Sequence, residues 1–354
     1  MKVKELAEIL ELSPATVSLV LNNRPGISEA TRKKVKDAVI ELGCEDMMNI
    51  KEKKKKTLLF VVYRKNATDD KFQRFSQLFS EIIEGVESQA KLKNFQLMLS
   101  YVNDLSLQEE IVRIQNINLD GILLLATEMR DSQLNAFFEL GIPVVVLDKY
   151  MWEKPYDCVT INNELGVYEA ISYLKEMGHK DIGYLHVVHN ANNFLDRYFG
   201  FLTAVQKLEI PFQKKFLVEL NTSGGEVLQM ETFQAFQKMK EMPTAFFADN
   251  DILAIYAMQS LQRLGYRIPE DISIIGFDNM ALSEILEPAL TTIQVQKRKM
   301  GIAALNLLIS KMEEEENEGE SVKIVVAGIS IPALCSKYIL RRSTLARKFL
   351  LGQE

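Results

Sequence analysis

The side chains with the clearest chemistry lie close to the N-terminus, in the run from Ser13 to Asn22. Thr16, Ser18 and Asn22 are short, uncharged hydrogen-bonders, the kind of group that meets base edges and phosphate oxygens. Enzymatic chemistry is poorly served elsewhere. His179, His186 and His189 are the three histidines, and none falls in a metal-ligand spacing such as HExxH. No GxGxxG or GxxxxGK[ST] run opens a helix. Thr222, Ser223, Gly224 and Gly225 resemble a phosphate loop only faintly, and a Ser/Gly turn before a helix is ordinarily a cap. Cys44, Cys158 and Cys335 are far apart and odd in number, which speaks against a disulfide framework or a CxxC site. A non-enzymatic protein with no metal and no cofactor is expected.

The elements that position those side chains are short helices. Ser13 is placed as an N-cap and Pro14 as the first helical residue, where a missing N–H costs nothing. Val17, Val20 and Leu21 recur at i, i+3 and i+4, so one face is apolar, while Ala15, Thr16, Ser18, Leu19 and Asn22 face outward without negative charge. A preceding helix from about Val3 to Leu10 offers Leu6, Ala7, Ile9 and Leu10 for packing, and Glu11 and Leu12 leave room for only a tight turn. This window fits a helix-turn-helix, and equally an ordinary capped helix of a small helical domain. The continuation adds a loop from Asn22 to Gly26 that carries Arg24. Ser28 then caps a third helix, Glu29 to Leu42, which ends at Gly43. Three short helices therefore fill residues 1–43.

The chain has 354 residues, 47% of them apolar and 25% charged, an ordinary globular composition with room for two or three domains. No apolar run approaches the ~20 residues that a membrane span requires, and the N-terminus leads into an amphipathic helix, so a cytoplasmic protein is expected. The net charge of −6 is uneven: residues 1–56 hold 12 Lys and Arg against 9 Asp and Glu, and the remainder 30 against 39. A basic end on an acidic body suits phosphate contact at that end, although Lys53 to Lys56 also reads as a plain polar linker.

From Thr57 onward short apolar strands alternate with amphipathic helices. Strands are expected at 57–63, 96–101, 121–125 and 144–147, with helices near 75–93, 107–116 and 132–139. A second series follows, with helices near 164–177, 196–208, 225–239 and 251–264 between strands at 182–186, 216–219, 245–248 and 272–277. Continuous runs such as Ile122 to Leu125 and Val144 to Leu147 indicate strands buried on both faces. Two doubly wound parallel sheets result, with a cleft at the carboxyl ends of their strands. The fold class is α/β.

The spaced residues resemble the lactose-repressor (LacI/GalR) family. In the headpiece the likeness lies in Ala7, Ser13, Thr16, Val17, Ser18, Asn22, Ser28, Thr31, Arg32 and Val35. In the body it lies in Cys158 to Gly166, Leu174 with Gly178 and His179, Arg197 with Gly200, Pro243 to Asp251, Gly265 to Asn279 and Leu290 to Ile293. The resemblance spans nearly the whole chain. It implies a helix-turn-helix headpiece (1–43), a linker or hinge (44–56) and a periplasmic-binding-protein-like effector and dimerisation domain (57–354). Its first lobe would comprise about 57–161 and 293–327, and its second about 162–292 and 328–345, with crossovers near Asn162, Thr292 and Ala327.

The family likeness further implies a homodimer on a pseudo-palindromic operator, as two-fold symmetry demands. Ser13, Pro14, Ala15, Thr16, Ser18, Leu19, Asn22, Arg24 and Ser28 would face the DNA. Leu19 stands where some members carry arginine, and leaves only apolar contact, such as with a thymine methyl. Glu11 stands where glycine is common, at a cost of about 1 kcal/mol if its φ is positive. A small sugar-like effector would be held by Asp148, Arg197, Asn250 and Asp278; Asp148 and Asp278 also read as loop or cap residues, and Asn250 as a helix cap. Val295 replaces a common glutamine, and Tyr150, Trp152 or Phe194 could stack on a ring. Members carry a Pro-Asn-x-x-Ala-like hinge whose helix wedges a leucine into the minor groove. Residues 44–51 lack it. Met47, Met48 or Ile50 could replace the wedge, while Glu45 and Asp46 oppose phosphates. The expected function is a ligand-controlled transcriptional regulator, a repressor of carbohydrate genes. The alternative is a cytoplasmic sugar-binding or sensing protein whose headpiece has lost specific DNA binding.

Overall fold

The computed structural model describes residues 2–44, 47, 55–65, 71–150, 156–188, 191–221, 225–313 and 336–339, with 71–78 and 336–339 in backbone only. The chain divides into two compact units, Met1–Lys56 and Thr57–Glu354. Most of the hinge segment, Trp152, the expected crossover near Ala327, the tail from Arg341 and the Thr222 to Gly224 turn lie outside the described residues.

The first unit holds α1 (Val3–Ile9), α2 (Pro14–Leu21) and α3 (Glu29–Glu41). The same device starts α2 and α3. Ser13 Oγ accepts the Thr16 amide at 3.0 Å and Ser28 Oγ the Thr31 amide at 3.2 Å, each satisfying a donor that a helix start otherwise leaves free. Leu6, Ala7, Val17, Val20, Leu21, Val35 and Val39 meet in one small core. The α1–α2 turn is tight, and Glu11 sits in it at φ 54°, the left-handed conformation that glycine adopts more readily.

The second unit contains β1 (Thr57–Tyr63), α4 (Lys71–Leu92), β2 (Gln96–Val102), α5 (Leu107–Gln115), β3 (Gly121–Leu125), α6 (Asp131–Phe138), β4 (Val144–Leu147) and β5 (Cys158–Val159). There follow α7 (Asn163–Glu176), β6 (Ile182–Val187), α8 (Asn192–Lys207), β7 (Leu217–Leu220), α9 (Gly225–Lys238), β8 (Ala245–Ala248), α10 (Asp251–Arg263) and β9 (Ser273–Phe277). The series closes with α11 (Leu282–Ile285), β10 (Thr291–Val295), α12 (Lys297–Glu313) and β11 (Ser336–Ile339). The first sheet runs β2-β1-β3-β4-β5, all parallel. The second runs β7-β6-β8-β9-β10-β11, the same winding order, with β11 added antiparallel at its edge. Strands β3, β4, β8 and β9 are buried throughout, as parallel strands covered on both faces must be.

The chain passes from the first lobe to the second after β5 and returns after β10. Because β10 pairs with β9 as far as Ile293 and with β11 as far as Val295, residues 293–295 belong to the second sheet. The return therefore falls just before Lys297, a few residues later than 293. Helix α12 then packs on α4 at very short range. A Cβ on Gly301 would lie 2.9 Å from the Val86 amide nitrogen, and one on Gly85 would strike the Arg298 carbonyl. Helix α8 starts at Asn192, a turn earlier than Asp196: Ala191 is its N-cap and makes no side-chain bond, so no cap residue marks the start. No helix among the described residues is long and apolar enough to cross a membrane.

Candidate functional site

Asp148, Arg197, Asn250 and Asp278 come together around one cavity in the second unit. Three of the four sit where a strand ends or a helix begins, and Arg197 lies on the second turn of its helix. Asp148 directly follows β4 and Asp278 directly follows β9, both with positive φ (63° and 108°). A short polar side chain tolerates such a backbone better than a branched one, and strained residues of this kind gather at functional sites. Asn250 is the N-cap of α10, its Oδ1 accepting the Leu253 amide at 2.9 Å. The cap reading and the cavity-lining reading thus hold together.

Arg197, on the second turn of α8, is the hub. Nε donates to Asn163 Oδ1 at 2.9 Å, Nη2 to Asp278 Oδ1 at 3.1 Å, and Nη1 to the Asp249 carbonyl. Its guanidinium lies 3.8 Å over the Phe277 ring. With 3% of its surface exposed, the cation is held by a carboxylate, an amide, a carbonyl and an aromatic face at once. Asp148 accepts from Thr127 Oγ1 at 2.7 Å and Asn193 Nδ2 at 3.0 Å. Burial pushes its carboxyl up to about 6, against the pull of those two bonds. Burial also raises Asp278, while the Arg197 and Lys297 charges oppose the shift.

Several cavity residues were not singled out by the sequence. Lys297, at the start of α12, is 2% exposed, with Nζ 3.4 Å from Glu81 Oε1 and 3.5 Å from the Asn279 carbonyl. Thr127 and Asn193 are polar neighbours, and Phe79, Ile82, Ile161 and Met300 form apolar walls together with Val295, the position expected to lack the family's glutamine. Nothing local distinguishes a lysine that folding will bury from one that stays wet. Of the aromatics expected to stack, Phe194 lines the cavity, whereas the Tyr150 hydroxyl donates to Asp196 Oδ1 at 2.7 Å. That bond, with Asp148 to Asn193, joins the segment after β4 in one lobe to the first turns of α8 in the other.

Two buried aspartates support the site from behind. Asp249 accepts from the Tyr184 hydroxyl and, at 2.7 Å, from the Val187 amide; it pairs with His186 Nδ1 at 2.8 Å. This holds the backbone whose carbonyl receives Arg197. Asp251 accepts from the Met280 amide and Ser283 Oγ, both at 2.7 Å, and from Thr292 Oγ1, tying α10 to the loop that carries Asp278. Burial and the neighbouring Asp278 charge push Asp251 up to about 7, the first being the larger cause.

On the headpiece, Pro14, Ala15, Leu19, Asn22 and Arg24 are exposed, and Thr16 and Ser18 are half-buried. Ser13 and Ser28 are exposed caps, each hydroxyl also 2.8 Å from that of Thr16 or Thr31. Asn22 Nδ2 donates back to the Ser18 carbonyl at 2.8 Å. The outer face of α2 therefore offers hydroxyls, one amide and the leucine of position 19, with no acidic residue in its first turn.

A small helical headpiece joined in one chain to a two-lobed α/β binding body is the build of a ligand-responsive transcription factor. Residues 2–44 match the family model "Bacterial regulatory proteins, lacI family", and residues 171–331 match the "Periplasmic binding protein-like domain". The HTH-type transcriptional repressor PurR of Aliivibrio salmonicida (strain LFI1238) is 31% identical over 326 residues, covering 89% of this chain and 93% of that protein. Among solved structures, the transcriptional regulator CelR–cellobiose complex superposes with a TM-score of 0.70 at 22% identity, covering 97% of this chain and 99% of that one. The lac repressor dimer bound to operator and the anti-inducer ONPF gives 0.68 at 22% identity, covering 98% and 99%. The chain belongs to the LacI family of bacterial regulatory proteins.

Proposed function

We propose that this LacI-family regulator represses carbohydrate-utilisation genes under the control of a small sugar-like effector bound between its lobes. The observation that carries the reading is the convergence of Asp148, Arg197, Asn250 and Asp278, from both lobes, on one cavity with apolar walls. Carboxylates and amides match the hydroxyls of a polyol, and flat apolar surfaces match its C–H faces. The effector leaves the site chemically unchanged; neither a catalytic step nor a cofactor is needed. The protein acts in the cytoplasm as a homodimer, its two headpieces reading a pseudo-palindromic operator through α2, Arg24 and Ser28.

Control follows from differential affinity. A ligand that contacts both lobes binds their closed arrangement better, and shifts the population by that difference alone. The test pairs a thermal-shift screen of sugars, nucleosides and sugar phosphates with gel shifts of genomic fragments. A stabilising ligand is expected, with specific DNA binding that persists near ~200 mM salt and responds to that ligand. Arg197→Ala should abolish the ligand-induced shift and leave DNA affinity largely intact. An unchanged shift removes Arg197 from the site. Uniformly weak DNA binding would favour the sensing-protein alternative.

A further inference from the structure

Arg32 and Lys34 belong to the basic end of the chain, yet both side chains turn back into the headpiece. Arg32 Nη1 donates to Asn23 Oδ1 at 3.0 Å and Nη2 to the Arg24 carbonyl at 2.6 Å. Lys34 Nζ donates to the Leu10 carbonyl at 3.0 Å. Both therefore reach the C-terminal ends of the two preceding helices.

Those ends share one geometry. At the end of α1, Glu11 N bonds Glu8 O at 3.2 Å and Leu12 N bonds Ala7 O at 2.9 Å; at the end of α2, Asn23 N bonds Val20 O at 3.0 Å and Arg24 N bonds Leu19 O at 2.8 Å. This paired pattern requires a left-handed residue, normally glycine. Helix α3 ends the same way on Gly43 at φ 60°, but α1 and α2 place Glu11 (54°) and Asn23 (51°) there. Within the headpiece, each left-handed end that lacks glycine is gripped by a cation from α3, at the helix terminus where a positive charge is favoured.

We propose that Arg32 is a positioning residue for operator reading. By holding Asn23 and Arg24 together it fixes the first residues beyond α2, and with them the direction in which the exposed Arg24 side chain leaves the headpiece. Arg32 makes no phosphate contact of its own. Its planar fork spans two acceptors, which the single ammonium of lysine does not reproduce. A residue that touches phosphate releases counterions, so its loss lowers the salt slope by about 0.9; a residue that acts through the backbone leaves the slope alone.

The experiment uses the full chain and an operator selected by the wild type from a random duplex library, with affinities measured by fluorescence anisotropy from about 50 to 300 mM salt. Arg32→Ala and Arg32→Lys should each weaken operator binding by about tenfold or more, with unchanged slope and with random-sequence binding kept within about twofold. Arg24→Ala, the comparison, should lower the slope by about one. Recovery of operator binding by Arg32→Lys overturns the proposal, as does a slope lowered by about one in Arg32→Ala. If Arg32→Ala loses helical circular dichroism, it is combined with Asn23→Gly, which adopts the left-handed turn without strain. That folded double variant should remain defective, and full operator affinity in it overturns the proposal. The inference rests on DNA reading by the headpiece. A wild type that enriches no sequence sinks both, whereas operator binding indifferent to Arg32 removes this inference alone.

Discussion

Gly301→Ala offers the sharpest test of how the cavity around Arg197 is built. The added Cβ would lie 2.9 Å from the Val86 amide nitrogen, 3.2 Å from the Ile82 carbonyl carbon and closer still to its oxygen. All three are main-chain atoms within α4, so no rotamer change gives relief. Reaching the 3.4 Å edge of ordinary contact with Val86 alone requires the helices to part by about 0.5 Å, and the Ile82 oxygen demands more. Overpacking of this kind costs about 1–3 kcal/mol, and rigid backbone places it near the top of that range. Alanine recovers about 1 kcal/mol through its better helix propensity, leaving a net loss of about 2 kcal/mol. At about 2–4 °C per kcal/mol, melting of the effector unit followed by far-UV circular dichroism should fall by about 4–8 °C. Phe79 and Ile82 on α4 and Lys297 and Met300 on α12 all line the cavity, so ligand-induced stabilisation should shrink as well. Melting within about 1 °C of the wild type, with the ligand response intact, would refute the close crossing.

Two further outcomes follow from the buried groups and the caps. Asp148 and Asp251 are raised in the folded state, to about 6 and about 7, from an ordinary value of 3.8, so the folded chain takes up protons that the unfolded chain at the same pH does not. Their stabilising contribution is complete below about pH 4 and is lost as the pH rises through 6 and 7; the melting temperature should therefore climb on going from pH 8 to pH 6, and a decline over that interval would contradict the assignment. Ser13→Ala removes the bond to the Thr16 amide and should cost the start of α2 about 1 kcal/mol, read as roughly fivefold faster hydrogen exchange at that amide; unchanged exchange would show that the cap contributes nothing.

Legibility in the sequence followed the range of the interaction that matters. The headpiece was readable because its signals are local: Ser13 and Ser28 bond amides three residues away, and the Val17, Val20, Leu21 stripe packs within a few turns. The buried strands were readable because unbroken apolar runs suit a parallel sheet covered on both faces. Edges blurred where local chemistry is silent, as at α8, which starts after an alanine. Family likeness supplied Asp148, Arg197, Asn250 and Asp278; Asp148 and Asp278 follow strands, Asn250 caps a helix, and Arg197 lies on the second turn of α8. Lys297 and Asn193 were not legible, because their burial depends on contacts with elements far away in sequence. Asp249 and Asp251 stood out only as members of the run from Pro243 to Asp251. Their carboxylates instead tie distant strands and loops together, an arrangement no spacing rule encodes.

The split path of the first lobe bears on how the protein is made. Helix α4 leaves the ribosome about 200 residues ahead of α12, the helix that covers it. At about 5–20 residues per second the nascent chain carries the uncovered flank of Ile82 and Val86 for roughly ten to forty seconds, which makes this lobe a natural client for chaperones during translation.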